Sequence, residues 1–376
     1  MRLSACSIAI PIVVAVILAG AVTPAAAYPQ FQLALGVDRC GACHVSPAGG
    51  GLLDAYGRDE AGDTISTGGD GRFLHGAWEP PSWFQLGGDL RVATAIKTRG
   101  HESELLAFPM QADVNARVGG EHLAVQLTIG VRGGARDPQP PLVERLASRE
   151  HYVVYQRDTD SYLRAGRFAP VFGIRTPDHT AAIRRYLGFG LLEEPYGIGG
   201  GWSGEASEVH ATAFVPRPSD VLGAGVKASG VTLYAERRIG GDTAALAGQA
   251  KIAFSDADAV ATAGVVGKRW FPGARVLLLG ELDLQRQSFA GDGPTRYQLA
   301  AYGGATAFVA HGWMLGAAVQ RWQPDLRRPT ARDAVEVNLQ YFPRAHVELH
   351  LLLRLSGSGD FERPGTLSLL QLHYYL

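Results

Sequence analysis

The chain has little cysteine, little charge and almost no helical pattern. Three cysteines in 376 residues exclude a disulfide-stapled scaffold. Charged residues make up 19 %, below the roughly 25 % of ordinary globular domains. The 35 Lys and Arg and the 36 Asp and Glu cancel to −1, so nothing points to nucleic acid as a partner. Beyond the first 27 residues no apolar run is long enough for a spanning helix. No G-x-S-x-G elbow and no zinc-ligand spacing occurs, which leaves hydrolase readings without support. No enzyme is expected. What the chain does have is 48 glycines and enough aliphatic and aromatic side chains to exclude disorder.

Residues 1–27 read as a secretory signal peptide. Arg2 supplies the positive start, residues 8–18 the apolar core, and Ala25-Ala26-Ala27 the small-residue cleavage site. A membrane anchor would need about 20 apolar residues, and Pro11 and Pro24 interrupt the run. Cys6 leaves with the peptide.

The two cysteines that remain stand in Cys40-Gly41-Ala42-Cys43-His44. C-x-x-C-H is the attachment pattern of c-type haem. Two thiols at this spacing can add to the two vinyl groups of one porphyrin, and the adjacent His44 becomes the proximal iron ligand. A redox C-x-x-C would want a βαβ context, and the flanks here are rich in Gly and Pro. By composition alone such a match arises roughly once in a thousand chains. One covalent haem c is therefore expected. Residues 28–82 are too short and too polar to wrap it, with at most a turn or two of helix over 52–60, so the haem must rest on the remainder of the chain. For the sixth ligand, His75 lies in the same segment; Met110 and Met314 fall in strand-like stretches, and His101 and His122 are weaker candidates. The alternative for His75 is an ordinary loop histidine.

From about residue 84 the pattern has period two. Leu123, Val125, Leu127, Ile129 and Val131 alternate with Gln126, Thr128 and Arg132; Val335, Val337, Leu339 and Tyr341 with Glu336, Asn338 and Gln340; Val347, Leu349, Leu351, Leu353 and Leu355 with His346, Glu348, His350 and Arg354. Runs near ten residues suit transmembrane strands better than the 5–6 of soluble sheets. Aromatics gather at their ends, as in Trp83-Phe84, Trp270-Phe271, Trp322, Tyr341-Phe342 and Tyr374-Tyr375, in the manner of interfacial girdles. The last alternating run, 367–376, closes on Leu376, where outer-membrane barrels more often close on Phe. The fold class is all-β: a transmembrane antiparallel barrel over 83–376, at about 18 residues per strand and turn, hence about 16 strands.

Residues 164–185 break the alternation and carry Arg164, Arg167, Arg175, Arg184 and Arg185 against Asp178. The stretch Gly166-Arg167-Phe168-Ala169-Pro170-Val171-Phe172-Gly173 resembles the inward-folding loop segment of phosphate-selective porins. With Cys40 to Arg58 added, the chain resembles the porin-like outer-membrane proteins that carry a c-type haem. The resemblance implies a loop in the lumen. Its arginines would attract anions or pair with haem propionates; on the outside they would meet lipid phosphates instead.

Electron transfer at or across the outer membrane, with periplasmic or surface cytochromes as partners, is the function this implies. The haem segment would lie on the periplasmic side or in the lumen. A passive anion-permeable porin, with the segment as a plug, is the alternative.

Overall fold

The computed structural model describes residues 29–34, 37, 39–100, 102–132, 141–190, 192–217, 226–291, 293–358 and 364–376. The expected signal peptide and His101 lie outside them. Among the described residues sixteen strands follow one another. They are β1 (Phe84–Arg99), β2 (Glu102–Gly119), β3 (Leu123–Arg132), β4 (Leu146–Gln156), β5 (Ser161–Arg167), β6 (Tyr196–Ser203), β7 (Ser207–Val215) and β8 (Ser229–Ile239). Then come β9 (Ala244–Phe254), β10 (Asp258–Phe271), β11 (Val276–Phe289), β12 (Arg296–Ala310), β13 (Trp313–Gln323), β14 (Arg332–Arg344), β15 (Val347–Ser358) and β16 (Gly365–Tyr375). Each pairs antiparallel with its neighbours, and β1 pairs with β16 from Asp89↔Tyr375 to Arg99↔Gly365. The sheet closes on itself and leaves no edge, which is what a sheet in lipid requires.

The two sides of this wall are inverted relative to a soluble barrel. Leu123 (58 % exposed), Val125, Leu351 and Leu353 face outward, while Gln126 (1 %), Thr128, Glu336 and Glu348 are buried inside. Exposed apolar and buried polar side chains on alternate positions suit lipid outside and a polar interior. Among the described residues no helix is long and apolar enough to cross a membrane; the crossing is made by strands.

Seven of the connections, at the end where β1 starts and β16 finishes, have two to four residues. This is the short-turn rim. At the opposite end the longest connection, 168–195, joins β5 to β6 and folds into the lumen. Its buried Phe172, Ile174, Ile183 and Leu187 join an interior apolar cluster with Leu277, Trp270 and Phe342 of the wall. Part of the expected girdle is therefore not at the lipid interface. Trp270 and Trp322 are each 7 % exposed and point inward; Trp322 stacks on Tyr186 of the loop at 4.5 Å, and Trp270 packs edge-on against Phe308 at 5.4 Å. Their inward face is apolar because a loop and an N-terminal segment cover it.

Candidate functional site: a plug across the short-turn rim

The segment ahead of β1 sits in the barrel. Thr67 N donates to Phe342 O at 2.9 Å, Ala345 N to Gly68 O at 2.7 Å, and Arg39 Nη1 to Gly204 O at 3.4 Å. All three wall partners belong to the short-turn rim. Phe31 packs edge-on between Phe308 (5.8 Å) and Phe342 (6.3 Å). Leu52 and Leu53 are buried, as are Ala48 and Cys43. These 29–83 residues are too few for a core of their own, and the barrel interior supplies one.

The C-x-x-C-H run forms one tight turn of this plug. Cys40–Ala42 is a 3-10 turn, with Cys43 N and His44 N both donating to Cys40 O, at 3.2 and 3.0 Å. His44 then bridges antiparallel to Leu53. The chain continues into α1 (Ala55–Glu60), where Asp54 Oδ1 caps the helix by accepting from Gly57 N at 2.7 Å. Both thiols are free. Burial raises the Cys40 thiol above its ordinary value; burial, then Asp54 and Glu60, pushes Cys43 up to about 12.

Two features keep space beside Cys40. Gly49 has φ +73°, and a Cβ there would stand 3.1 Å from Cys40 Cβ, 3.2 Å from its sulfur and 3.8 Å from the His44 ring. Any side chain would fill the gap between thiol and imidazole. Next to it lies a small cavity of about 30 Å³, lined by Cys40, Ala48, Phe172, Arg175, Tyr234 and Lys268 among others.

The five arginines do not form the expected cationic loop. Arg164 and Arg167 belong to β5 and are both buried although three residues apart, because the alternation breaks at Gly166, whose φ is +140°. Arg164 is 1 % exposed, with its guanidinium 4.0 Å over the Phe168 ring. Arg167 and Arg149 flank Glu194, at 3.6 and 3.0 Å. Arg175 crosses to the plug, its Nη1 donating to Ala48 O at 3.0 Å. Arg184 binds Thr176 O (2.6 Å) and Phe189 O, whereas Arg185 is exposed and lies near the Tyr186 ring. Over 168–195 three arginines meet Asp178, Glu193 and Glu194, so the loop as a whole is neutral. The net positive count over 164–185 came from stopping before Glu193.

His75 lies at the rim, its ring 5.1 Å from that of His346, which donates through Nε2 to Arg72 O at 3.0 Å. Met314 is buried in the interior cluster; Met110 lies in β2, and the exposed His122 bonds the Gln156 carbonyl at 2.9 Å. Among the described residues no group of three or more His, Cys, Asp or Glu is arranged to hold a metal ion. Sequence reasoning passed over Lys268 and Glu281, which lie in period-two strands, and Glu194 at the end of the loop. The signal for Glu281 was its place two residues from Asp283 on one face of β11; Gln249 reaches both from β9, across β10.

No protein-family model matches the chain, and no curated protein sequence matches it. Solved structures do. Outer-membrane-expressed OmpT of Vibrio cholerae is similar over 80 % of this chain and 99 % of its own, with TM-score 0.59 and 10 % identity. OprB of Pseudomonas putida covers 78 % and 94 %, with TM-score 0.57 and 11 % identity. An anion-selective porin from Comamonas acidovorans covers 78 % and 99 %, with TM-score 0.56 and 10 % identity. The fold is that of the outer-membrane porins. This porin fold accounts for the closed wall, the short-turn rim and the outward apolar face.

Proposed function

We propose that this porin-fold chain resides in the outer membrane and carries one c-type haem, bound covalently through Cys40 and Cys43 with His44 as proximal iron ligand, to move electrons at or across that membrane. The observation that carries the reading is the seating of the C-x-x-C-H turn inside the lumen, beside the cavity that Cys40 lines. The residues fit the group. Two unbridged thiols stand at the attachment spacing, the left-handed backbone of Gly49 beside Cys40 and His44 favours glycine, and the cavity lining joins Phe172, Ile174 and Leu279 with Arg175, Lys268 and Glu208. Bound haem supplies a one-electron couple, its potential tuned by ligands and burial. The chain's own part is to hold the site out of water, orient His44 and keep the plug across the rim. With the rim facing the periplasm, one haem cannot bridge an apolar band about 25 Å tall, so partner cytochromes complete the path.

A haem stain and a pyridine haemochrome spectrum on denatured, membrane-extracted protein test this. Haem that stays with the polypeptide supports the reading. A colourless band from correctly processed protein leaves the second reading, a plugged passive porin. That one is favoured by the same seating of the segment across the rim, and it conducts independently of redox state.

A further inference from the structure

On the half of the wall away from the short-turn rim, the outward face is apolar or uncharged over most of its circumference. Ile96, Leu105, Ile252 and Leu355 are exposed there. One stretch differs. On β11 the outward Leu282 and Leu284 (52 % exposed) are followed by Arg286, and on β13 the outward Val319 (57 %) is followed by Arg321. Both arginines are exposed. Among the described residues no other outward position in these strand halves carries a Lys or Arg. An arginine on the lipid face costs several kcal/mol at mid-membrane and almost nothing at the interface, so the pair marks the level where the apolar band ends.

The strand between them and the connection beyond complete a patch. Tyr297 of β12 lies directly across from Arg286 in the ladder and is half exposed. The connection 324–331 folds down on β12: Leu326 N donates to Tyr297 O at 2.7 Å, and the Arg327 guanidinium bonds Thr295 O. This fixes the exposed Leu326 beside Tyr297, with the exposed Arg327 and Arg328 next along the chain. Asp325 lies 3.1 Å from Arg327 and 3.9 Å from Arg328, and Asp333 lies 3.6 Å from Arg321. Four arginines against two aspartates leave a surplus of +2. A guanidinium fork matches the oxygens of a phosphate, and a tyrosine suits an interface with one apolar and one wet side.

We propose that β11 to β13, with the connection after β13, form a seat for a membrane lipid that carries phosphate on its headgroup. Arg286 and Arg321 take phosphate oxygens, the Tyr297 hydroxyl donates from the strand between them, and acyl chains lie along Leu282, Leu284 and Val319. The proposal rests on the outer-membrane placement above, with the short-turn rim facing the periplasm, which makes the ligand a phosphorylated glycolipid of the outer leaflet.

The test uses the full chain, extracted in detergent and freed of lipid, and reads the temperature at which heat-modifiable gel mobility is lost. Lipid A with two phosphates, the same lipid dephosphorylated, and inorganic phosphate are titrated in turn. The phosphorylated lipid alone should raise the temperature saturably. Arg286→Gln with Arg321→Gln should move half-saturation about tenfold higher in lipid. Arg286→Lys with Arg321→Lys, which keeps the charges and serves where the Gln pair fails to fold, should move it less. Arg237→Gln with Arg269→Gln removes two exposed arginines at the short-turn rim and should leave it unchanged. An equal loss in the rim pair means general attraction between charges and overturns the seat. No response to the phosphorylated lipid, or the same response to inorganic phosphate, overturns it as well. Membrane fractionation decides the placement separately: a chain found outside the outer membrane sinks that reading, while the titration in detergent still shows whether the patch holds a lipid phosphate.

Discussion

Gly173 of the inward loop rests directly on the Glu281 carboxylate of β11. A Cβ at 173 would stand 2.2 Å from Glu281 Oε1, the backbone there has φ +59°, and the next amide, Ile174 N, donates to Oε2 at 2.5 Å. Gln249 Nε2 bridges Glu281 Oε1 (2.9 Å) and Asp283 Oδ1 (2.6 Å), fixing the acceptor from behind. The loop turns back toward the plug at this point because one wall carboxylate captures its backbone.

Gly173→Ala is therefore expected to release the loop. The substitution combines a left-handed backbone, which costs about 1–2 kcal/mol for a residue with a Cβ, with a contact that the Glu281 side chain relieves only by swinging away from Ile174 N and Gln249 Nε2. Limited proteolysis should cut within 168–195 in the variant while the wild-type barrel stays whole, and Glu281→Ala should give the same cut by removing the acceptor. An uncut Gly173→Ala barrel would rule out this anchor.

The fold was legible because two periods carried it. Alternation such as Leu123 to Val131 fixed strand type, and the arithmetic of strand plus turn gave sixteen. The first strand begins at Phe84, at the expected boundary, and the expected turn of helix over 52–60 appears at Ala55–Glu60. What remained hidden was which way particular side chains turn once something covers them. Trp270 and Trp322 look like girdle residues in one dimension and are interior residues in three, since the loop and plug that bury them lie about 80 to 240 residues away in sequence. The arginines were found by type, but their partners Glu194 and Ala48 O are set by closure of the barrel, which no local pattern reports.

Arg175 is the loop's direct grip on the haem segment, through Ala48 O. Removing it leaves a buried carbonyl unpaired, a cost of about 1–3 kcal/mol, and costs the barrel wall nothing. Arg175→Ala should then form a normal heat-modifiable barrel whose single-channel conductance in planar bilayers is higher and noisier than wild type, because the plug is held at one point fewer. Conductance identical to wild type would mean that the rim contacts at Phe342 and Ala345 suffice.

Acid should free the loop at a second tether. Burial by itself would raise the Asp178 carboxyl, but Arg354 of β15 and the Thr180 side chain and amide outweigh it and hold it below its usual value. Glu194 is held low in the same way against burial, chiefly by Arg149. A depressed carboxylate stabilises the folded loop above its unfolded pKa, about 4, and that contribution is lost as pH falls through the lower folded value. Proteolysis within 168–195 should stay absent from pH 7 to about pH 4 and grow below it. Asp178→Asn should loosen the loop already at neutral pH and blunt the acid response, while a loop equally protected at pH 3 and pH 7 contradicts the tether.

The attachment cysteines can be separated from the barrel. Neither lies in a strand, and the wall closes through β1 and β16 without any residue ahead of Phe84. Cys40→Ala with Cys43→Ala should abolish covalent haem and keep the heat-modifiable folded band. The Cys43 change is mild, since alanine in place of a buried, protonated thiol removes one atom from the plug's packing, on the order of 1 kcal/mol. The Cys40 change removes the acceptor of the 3.1 Å contact from Gln32 Nε2, which is confined to the plug. If the double variant lost its folded band, the C-x-x-C-H turn would be part of barrel assembly itself, and haem attachment would have to precede closure of the wall.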